Sequence, residues 1–361
     1  MELRHYIIFF AATLLLQLFI FIFNRTLSWL LAAILTSKTR KILFVSNYLI
    51  ANSIILLTIF RVFPLFRFSA FLLAFLLFSA FISIGCLLCH YLLKSFIPLS
   101  KLHTALRFGY PIALLSLLGL SVYNAYTPVV IHYQITLDKS IKPIRLGVAS
   151  DLHLGTLFGS RQLDKLAELM QQQNVDIILM PGDIMDDNTH AYVAENMRPH
   201  LAKLRAPLGV YATLGNHDFF GHQQAIKQEL EQAGIEVLFD QSKVINHEFV
   251  LVGRNDDLLK TRPSAEQLLQ NVNTELPVIL LDHRPTEIEK HAKLPIDIQV
   301  SGHAHKGQIF PANIITHLLY PLDYGYERIG NGHFFVTSGY GFWGIPMRLG
   351  SQSEIFIIDV N

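Results

Sequence analysis

The chain has 361 residues, of which 51% are hydrophobic, and its formal net charge is +1. This length accommodates two domains of ordinary size, and the apolar fraction is high for a protein that is soluble throughout. A net charge so close to zero gives no support to a nucleic-acid-binding surface, because such surfaces concentrate Lys and Arg.

Four apolar runs occupy the first third of the chain, and each approaches the roughly 20 residues that cross a hydrocarbon core of about 30 Å. The first run is longer than the roughly 7–15 residues of a signal-peptide core, and three more follow, so the pattern predicts four transmembrane helices. Cys86 and Cys89 lie inside the third run and are interpreted as packing residues. The shorter segment 26–35 is expected to prolong the first helix or to lie in the interface. The four runs cover residues 6–23, 42–60, 70–93 and about 109–126.

Basic residues suggest an orientation for these helices. They are concentrated in the loop between the first two runs and in the loop between the last two. The positive-inside rule then places these loops in the cytoplasm and the C-terminal domain on the periplasmic side of a bacterial inner membrane. The loops carry Arg25, Lys38, Arg40, Lys41, Lys94, Lys101 and Arg107; the opposite side carries Arg4, Arg61 and Arg67, with Lys139, Lys142 and Arg145 farther away.

From residue 129 onward, strand-like and helix-like segments alternate. The segment 160–174, for example, places Leu163, Leu166 and Leu169 on one face at helical spacing. The pattern predicts an α/β domain over residues 129–361, after an all-α membrane domain over residues 1–128. Strands are expected at 129–137, 143–150, 175–180, 208–214, 235–239, 249–253, 277–281, 296–300, 333–339 and 353–360, and helices at 160–174, 191–205, 222–234 and 286–291.

Polar side chains follow five of these strands. Ligand-binding loops gather at the carboxyl ends of strands in such sheets, so we expect these side chains to converge. In the pairs Asp151-x-His153 and His303-x-His305, residues i and i+2 of an extended segment would point the same way. The candidate ligands are Asp151, His153, Asp183, Asn216, His283, His303 and His305.

Carboxylate oxygens and imidazole nitrogens are ligands favoured by Mn, Fe and Zn, and the lack of thiolate argues against a structural zinc site. Seven ligands exceed what one tetrahedral ion needs and suit two divalent ions that share a carboxylate. Two such ions about 3.5–4 Å apart can bridge a hydroxide and clamp a phosphoryl oxygen. We therefore expect hydrolysis of a phosphate ester by attack of a metal-bound hydroxide.

The order DxH, GDxxD, GNHD, a lone His and GHxH resembles the calcineurin-like metallophosphoesterase superfamily. The ending from "GHAHKGQ" onward is similar to its YkuE-like or YaeI-like bacterial branch. The resemblance begins near residue 134 and implies a four-layer α/β sandwich after the membrane helices. It implies one metal held by Asp151, His153, Asp183 and His305, and a second held by Asp183, Asn216, His283 and His303, with Asp183 as the bridge.

The resemblance also implies roles around the substrate. His217 would orient the substrate or protonate the leaving group, with Asp218 orienting His217 in turn, and Asn216 would contact the substrate. Asp186 and Asp187 are interpreted as helix caps or as support for the site. The candidate phosphate contacts are Arg348, Lys306 and Arg254, each weighed against a plain surface role.

Three departures from the family pattern stand out. Ala304 and Lys306 replace the threonine and glycine of the usual GHTHGGQ. Ala304 lacks a hydroxyl that could support the ligands and Lys306 adds a charge, so we expect effects on the properties of the site and on substrate entry rather than on metal binding. Asp282 precedes His283 where an uncharged residue is usual, and it would either support a ligand or face solvent. Asp186 stands where purple acid phosphatases carry an iron-binding tyrosine, which argues against their chemistry.

The leading hypothesis is a membrane-anchored phosphoesterase with two divalent ions, acting on a monoester, diester or pyrophosphate. An anchor in the bilayer favours a lipid-linked phosphate. The alternative is a transporter or scaffold with a regulatory metal-binding domain. Acidic residues are missing from the apolar runs, whose main strongly polar residues are Asn47, Asn52, His90 and Asn124, and this favours an anchor. The lack of a basic stripe argues against a nuclease.

Overall fold

The computed structural model describes the backbone of residues 3–361 and the side chains of residues 12–361. The chain forms two compact units, Met1–Ser121 and Val122–Asn361. The division lies inside the fourth helix, whereas the sequence placed it after residue 128. The difference arises because Ala125 is fully buried in the core of the second unit.

The first unit is built from long helices, as predicted. Four helices are long and apolar enough to cross a membrane, judged by length and composition. The segment 26–35 prolongs the first helix, which runs to Leu30 and is followed by a 3-10 turn over Leu31–Ala33. The helices are α1 Leu3–Leu30, α2 Ser37–Ile59, α3 Phe66–Leu93 and α4 Leu99–Tyr126.

Polar residues of these helices pair with one another. The Gln17 amide donates to Asn52 Oδ1 at 2.8 Å, and the Asn47 amide donates to Asn24 Oδ1 at 2.8 Å. Buried amides in an apolar setting need such partners. Two of the polar residues noted in the sequence, Asn47 and Asn52, therefore join α1 to α2, which supports a structural role over a translocation path.

Two six-stranded mixed sheets form the second unit. The first has the strand order β1-β12-β2-β3-β4-β5 and the second has the order β10-β11-β9-β8-β7-β6. The strands β2, β3 and β4 run parallel, as do β7, β8 and β9. The bounds are β1 Val129–Ile135, β2 Ile144–Val148, β3 Ile177–Pro181, β4 Val210–Thr213, β5 Glu236–Val237, β6 Gln241–Ile245, β7 Phe249–Arg254, β8 Val278–Asp282, β9 Ile298–Ser301, β10 Gly325–Ile329, β11 Gly332–Val336 and β12 Glu354–Val360.

Apolar side chains fill the space between the sheets and beneath the helices. Leu179 of the first sheet and Ile279 of the second lie in one buried cluster. A second cluster joins the first sheet to its helices through Leu166, and a third joins the other sheet to a helix through Leu269. The predicted four-layer α/β sandwich is confirmed. Its helices are α5 Ser160–Gln172, α6 His190–Ala194, α7 Arg198–Leu201, α8 Gln223–Gln232, α9 Ala265–Leu269, α10 Ile288–His291 and α11 Ala312–Leu319.

Some elements differ from the prediction. The helix expected at 191–205 is broken into α6 and α7, because Asn196 adopts a left-handed backbone with φ of 50°. The strands β6 and β10 and the helices α9 and α11 were not predicted. β6 and β10 present mostly polar side chains to solvent, so they lack the apolar runs by which strands are recognised.

Candidate metal centre

The seven candidate ligands lie in loops that follow five strands of the two sheets. Asp151 follows β2, Asp183 follows β3 and Asn216 follows β4 in the first sheet. His283 follows β8 and His303 follows β9 in the second sheet. The neighbouring carboxyl ends of these strands bring side chains that are far apart in sequence to one place.

One group contains Asp151, His153 and His305. The Nε2 atoms of His153 and His305 are 3.1 Å apart, and His305 Nε2 lies 3.3 Å from Asp151 Oδ1. All three residues are buried, and their ligand atoms lie within 4.8 Å of one another. This spacing lets one cation contact all three side chains.

A second group contains Asp183, His283 and His303, whose ligand atoms also lie within 4.8 Å of one another. His283 Nε2 is 3.1 Å from Asp183 Oδ2. The same Asp183 oxygen is 3.8 Å from Nε2 of His153 in the first group. Asp183 therefore stands between the two groups, where a bridging carboxylate would be needed.

Asn216 supplies a direct indication that these residues fit a metal. Its Oδ1 atom is buried and has no hydrogen-bond partner among the described residues. A buried acceptor without a partner costs roughly 1–3 kcal/mol. A divalent cation would satisfy this oxygen, and Asn216 lines the same pocket as Asp183 and His303. The donor set of carboxylate, amide and imidazole suits Mn, Fe or Zn.

The ligand loops are tight turns rather than extended segments. Five ligands adopt left-handed backbone conformations, which non-glycine residues rarely do. The prediction that each Asp/His or His/His pair lies in an extended segment was therefore wrong. Both side chains of each pair nevertheless approach the cluster. The φ angles are 54° for Asp151, 47° for His153, 50° for Asp183, 71° for His303 and 48° for His305.

Two glycines make room for the acidic ligands. A Cβ atom on Gly302 would lie 2.0 Å from Asp151 Oδ2, and one on Gly215 would lie 2.3 Å from Asp183 Oδ1. Both distances are far inside van der Waals contact, so any larger residue would displace a carboxylate. The glycines of the GHxH and GNHD motifs thus allow backbone and ligand to approach closely.

Burial keeps several imidazoles neutral. It lowers the pKa of His153 to about 3 and that of His303 to about 3. It also lowers the pKa of His305 well below its ordinary value. A neutral imidazole presents a lone pair, which metal binding requires.

The pair formed by His283 and Asp183 behaves differently. Burial opposes ionisation of both groups, but their mutual attraction is stronger. It raises the pKa of His283 and holds the pKa of Asp183 below its ordinary value. A cation that binds both residues must therefore displace a proton from His283.

His217 lies beside the candidate metal ligands and is paired with an acid, Asp187. Its Nδ1 atom is 2.5 Å from Asp187 Oδ1, and its backbone N–H donates to Asp183 Oδ1 at 2.8 Å. Burial opposes protonation of His217, but the hydrogen bond to Asp187 raises its pKa. Of the two roles considered for Asp187, a helix cap or support for the site, this contact fits the second. The position of Asp187 four residues after Asp183 was the sequence signal for its closeness to the site.

Asp218 does not orient His217. Its carboxylate is fully buried and accepts hydrogen bonds from the backbone N–H groups of Gly215, Ile184 and Met185 at 2.9–3.2 Å. These bonds tie the loop after β4 to the loop after β3. Among the described residues, the Asp218 carboxylate has no hydrogen bond to the His217 ring, and its contacts hold the loop that carries Asn216 and His217.

The structure places Arg348 behind the site rather than in the pocket. The side chain is fully buried, and Nη2 donates to the carbonyl oxygens of Ser338 at 2.7 Å and Gly341 at 2.6 Å. The same nitrogen is 3.2 Å from His305 Nδ1. In this position Arg348 contacts the His305 ring and does not line the pocket.

The other two candidate phosphate contacts are also engaged elsewhere. Lys306 Nζ lies 3.8 Å from the centre of the Tyr324 ring. Arg254 is buried, and its Nη1 atom contacts Asp282 at 3.2 Å and Glu287 at 2.5 Å. Asp282 is therefore a buried partner of Arg254 and does not face solvent. Neither basic side chain lines the pocket at the metal ligands.

A pocket of about 320 Å³ opens beside the ligands. Its polar part is formed by Asp183, Asn216, His217, His303 and His305. An apolar wall comes from Trp343 and from Ala312 and Ile315 of α11. This wall was not expected from the sequence, because α11 was not predicted. The apolar residues of "ANIITHLL", which begins at residue 312 shortly after the GHxH motif, were the available signal.

Comparison with known proteins shows which family the chain resembles. Residues 144–307 match the family model described as calcineurin-like phosphoesterase. A Danio rerio protein named transmembrane protein with metallophosphoesterase domain is 32% identical over 67% of this chain and 59% of its own length. The chain thus spans little more than half of that relative.

Two bacterial relatives are matched over more of their length. A Helicobacter pylori protein named an uncharacterized metallophosphoesterase is 30% identical over 69% of each chain. The Bacillus subtilis protein named uncharacterized metallophosphoesterase YkuE is 30% identical over 59% of this chain and 77% of its own. The resemblance seen in the motifs is confirmed: the chain belongs to the calcineurin-like phosphoesterase family, and its second unit is a metal-dependent phosphoester hydrolase domain.

Proposed function

We propose that the protein is a membrane-anchored phosphoesterase that uses two divalent metal ions. The observation that carries this proposal is the position of Asp183 between two groups of candidate ligands. Asp151, His153 and His305 would hold one ion together with Asp183. Asn216, His283 and His303 would hold the other, again with Asp183.

The bound ions would supply Lewis acidity that lowers the pKa of water and offsets the charge of the phosphoryl group. The protein fixes where the phosphoryl group sits, because the left-handed ligand loops are held by the sheets behind them. Asn216 lies at the edge of the pocket, so its amide can also reach a phosphate oxygen. The surrounding residues exclude bulk water, since all ligands except His303 are buried.

His217 is the group placed to handle a proton. Its ring lines the pocket, and Asp187 holds Nδ1, which leaves Nε2 free to face the substrate. The pKa of His217 is raised, so the ring can carry the proton that a departing alkoxide requires. Asp187 is the positioning residue in this arrangement.

Several features bear on the substrate. The pocket combines a metal-binding side with an apolar wall, and four helices of the same chain are long and apolar enough to span a bilayer. These features favour a lipid-linked phosphate, as a monoester, diester or pyrophosphate. From the distribution of basic residues, the proposed location is a bacterial inner membrane with the catalytic domain on the periplasmic side.

The proposal is tested with the full chain purified in detergent. Metal content is measured by elemental analysis, and turnover is measured on bis(p-nitrophenyl) phosphate and p-nitrophenyl phosphate with Mn, Zn, Fe or Mg. Asp183→Asn is expected to lose bound metal and to reduce turnover by more than about 100-fold, because even residues behind a ligand can cost 10–100-fold. Release of phosphate from lipid phosphates is then compared with release from soluble esters.

A matched control removes a carboxylate that pairs with a histidine away from the ligands. Asp164 contacts His200 Nδ1 at 2.7 Å on the surface of α5. Asp164→Asn should retain metal and turnover. If Asp183→Asn behaved like this control, the assignment of the metal centre would fail; a preference for soluble esters would remove only the lipid-linked substrate.

A further inference from the structure

The first unit contains a cavity that the metal centre does not use. It measures about 580 Å³ and lies between α1, α3 and α4. It is lined by polar and apolar side chains together, so it suits an amphiphilic molecule. The residues that carry the argument are Phe21, Arg25, Trp29, Ile84, His90 and His103.

Arg25 is the most informative residue of this cavity. The sequence placed Arg25 in the loop after the first apolar run, but α1 continues past it, and Arg25 lies within the candidate span Ala12–Ala33. A charged side chain there is costly unless a partner neutralises it. The sequence contains no Asp or Glu between residues 3 and 137. No Asp or Glu between residues 3 and 137 can therefore pair with Arg25, and an external anion would supply the opposite charge.

The polar end of the cavity is built from aromatic and basic side chains. His103 Nε2 lies 3.3 Å from His90 Nδ1, and the Trp29 ring packs edge-on against His103. The Arg107 guanidinium lies over the Trp29 ring, 5.5 Å from its centre. Arg107 thus lies next to a residue that lines the cavity, and a phosphate group inside the cavity could accept hydrogen bonds from Arg25.

The other lining is apolar and open. Phe21, Ile84 and Leu87 line the cavity and are 46%, 48% and 54% exposed in the isolated chain. Exposed side chains of this kind suit contact with acyl chains. A polar, cationic end joined to an apolar wall matches a lipid in which a charged head group is attached to hydrocarbon.

We propose that this cavity binds an anionic phospholipid, with the head-group phosphate at Arg25 and an acyl chain along Phe21 and Ile84. The proposal is independent of the metal centre, since every residue involved belongs to the first unit. Arginine is suited to the role because its planar guanidinium donates two parallel hydrogen bonds to phosphate. Basic residues are also attracted to an anionic membrane in general. That attraction does not depend on one arginine, whereas binding at this site does.

Trp29 provides the readout. The chain has two tryptophans, so Trp343→Phe leaves Trp29 as the sole indole. The full chain with this change is titrated in mixed micelles with brominated phosphatidylglycerol or brominated phosphatidylcholine, and quenching of Trp29 fluorescence is recorded. We expect half-quenching at an about five-fold lower mole fraction of the anionic lipid, which corresponds to roughly 1 kcal/mol for one arginine.

Variants then identify the group responsible. Arg25→Gln should bring the two lipids to equal quenching, and Arg25→Lys should retain much of the preference. Lys101→Gln is the matched control, because it removes a positive charge from the exposed start of α4 outside the cavity. It should leave the preference unchanged.

Three results would overturn the proposal. These are equal quenching by both lipids in the parent, an unchanged preference in Arg25→Gln, or an equal loss in Lys101→Gln. Reversal of quenching by soluble glycerol phosphate would also count against it, because the cavity would then bind a small phosphate rather than a lipid. Circular dichroism of each variant confirms that its helices are retained.

Discussion

Single residues decide how the proposed chemistry is organised. His217 lines the pocket, and Asp187 contacts its Nδ1 atom. Asp218 accepts a hydrogen bond from Gly215 within the loop that carries His217. The motif GNHD therefore contributes a histidine whose carboxylate partner comes from a different loop. A sequence motif places the residues, but it does not state which of two nearby acids is the partner.

Asp187→Asn should separate these roles. Because the carboxylate raises the pKa of His217, its loss should lower that pKa and move the alkaline limb of the pH–rate profile to lower pH. Turnover should fall about 10–100-fold while metal content is unchanged. The pH dependence of kcat and elemental analysis measure the two effects. Asp164→Asn, which alters a similar acid–histidine pair at the surface, should leave the profile in place; loss of metal in Asp187→Asn would instead make Asp187 part of the metal centre.

At the scale of elements, a buried ionic network joins the end of β7 and the end of β8 to the start of α10. Arg254 of β7 contacts Asp282 of β8 and Glu287, which precedes α10. Asp282 is directly followed by the candidate ligand His283. The network therefore holds the strand that precedes one candidate ligand.

Glu287→Gln should reveal this network through its dependence on pH. Burial opposes ionisation of Glu287, but hydrogen bonds from Arg254 and Lys290 lower its pKa from 4.5 to about 2. A depressed carboxyl pKa stabilises the fold above the unfolded value and loses that contribution as pH falls from about 4.5 to 2. With allowance for solvent screening, the variant should be about 1 kcal/mol less stable at neutral pH, and the difference should vanish near pH 2.

Thermal unfolding of parent and variant across this pH range, with metal removed by a chelator, measures the difference. Glu289→Gln is the control, because Glu289 is exposed on the same short helix. A constant gap between Glu287→Gln and the parent at every pH would mean that packing, rather than charge, is responsible.

The elements also show what sequence reasoning can reach. The loops after β2, β3, β4, β8 and β9 were predictable, because apolar strands ending in Asp, Asn or His leave a strong pattern. The strand β10 was not predictable, since most of its side chains are exposed and it lacks an apolar run. The left-handed turns at Asp151 and His303 could not be predicted from the sequence either, because backbone strain at non-glycine residues is imposed by the surrounding fold.

At the scale of the whole molecule, the boundary between the units lies within α4. Asn124 Nδ2 donates to the carbonyl oxygen of Arg348 at 3.2 Å, and Tyr126 Oη donates to that of Leu157 at 2.9 Å. The Tyr126 ring also packs against Phe342, with ring centres 5.4 Å apart. The last turn of α4 is therefore part of the catalytic domain's core.

A chain that begins at Val122 should consequently be more stable than one that begins at Val129. Loss of one partly buried aromatic ring and two hydrogen bonds costs about 3 kcal/mol. For a domain of this size, the midpoint of unfolding should fall by roughly 6–12 °C. Differential scanning fluorimetry compares the two chains, and Tyr126→Ala in the longer one should give an intermediate value. Equal midpoints would show that the boundary belongs after residue 128.

The place of β12 has a consequence for the order of events during synthesis. This strand covers residues 354–360, yet it lies between β1 and β2, pairing Val129 with Glu354 and Val148 with Phe356. All seven candidate ligands have left the ribosome once His305 is exposed, well before the strand that joins β1 to the rest of its sheet. A nascent chain paused at that point carries every ligand while its first sheet is still open, and such late, distant pairing makes closure slow.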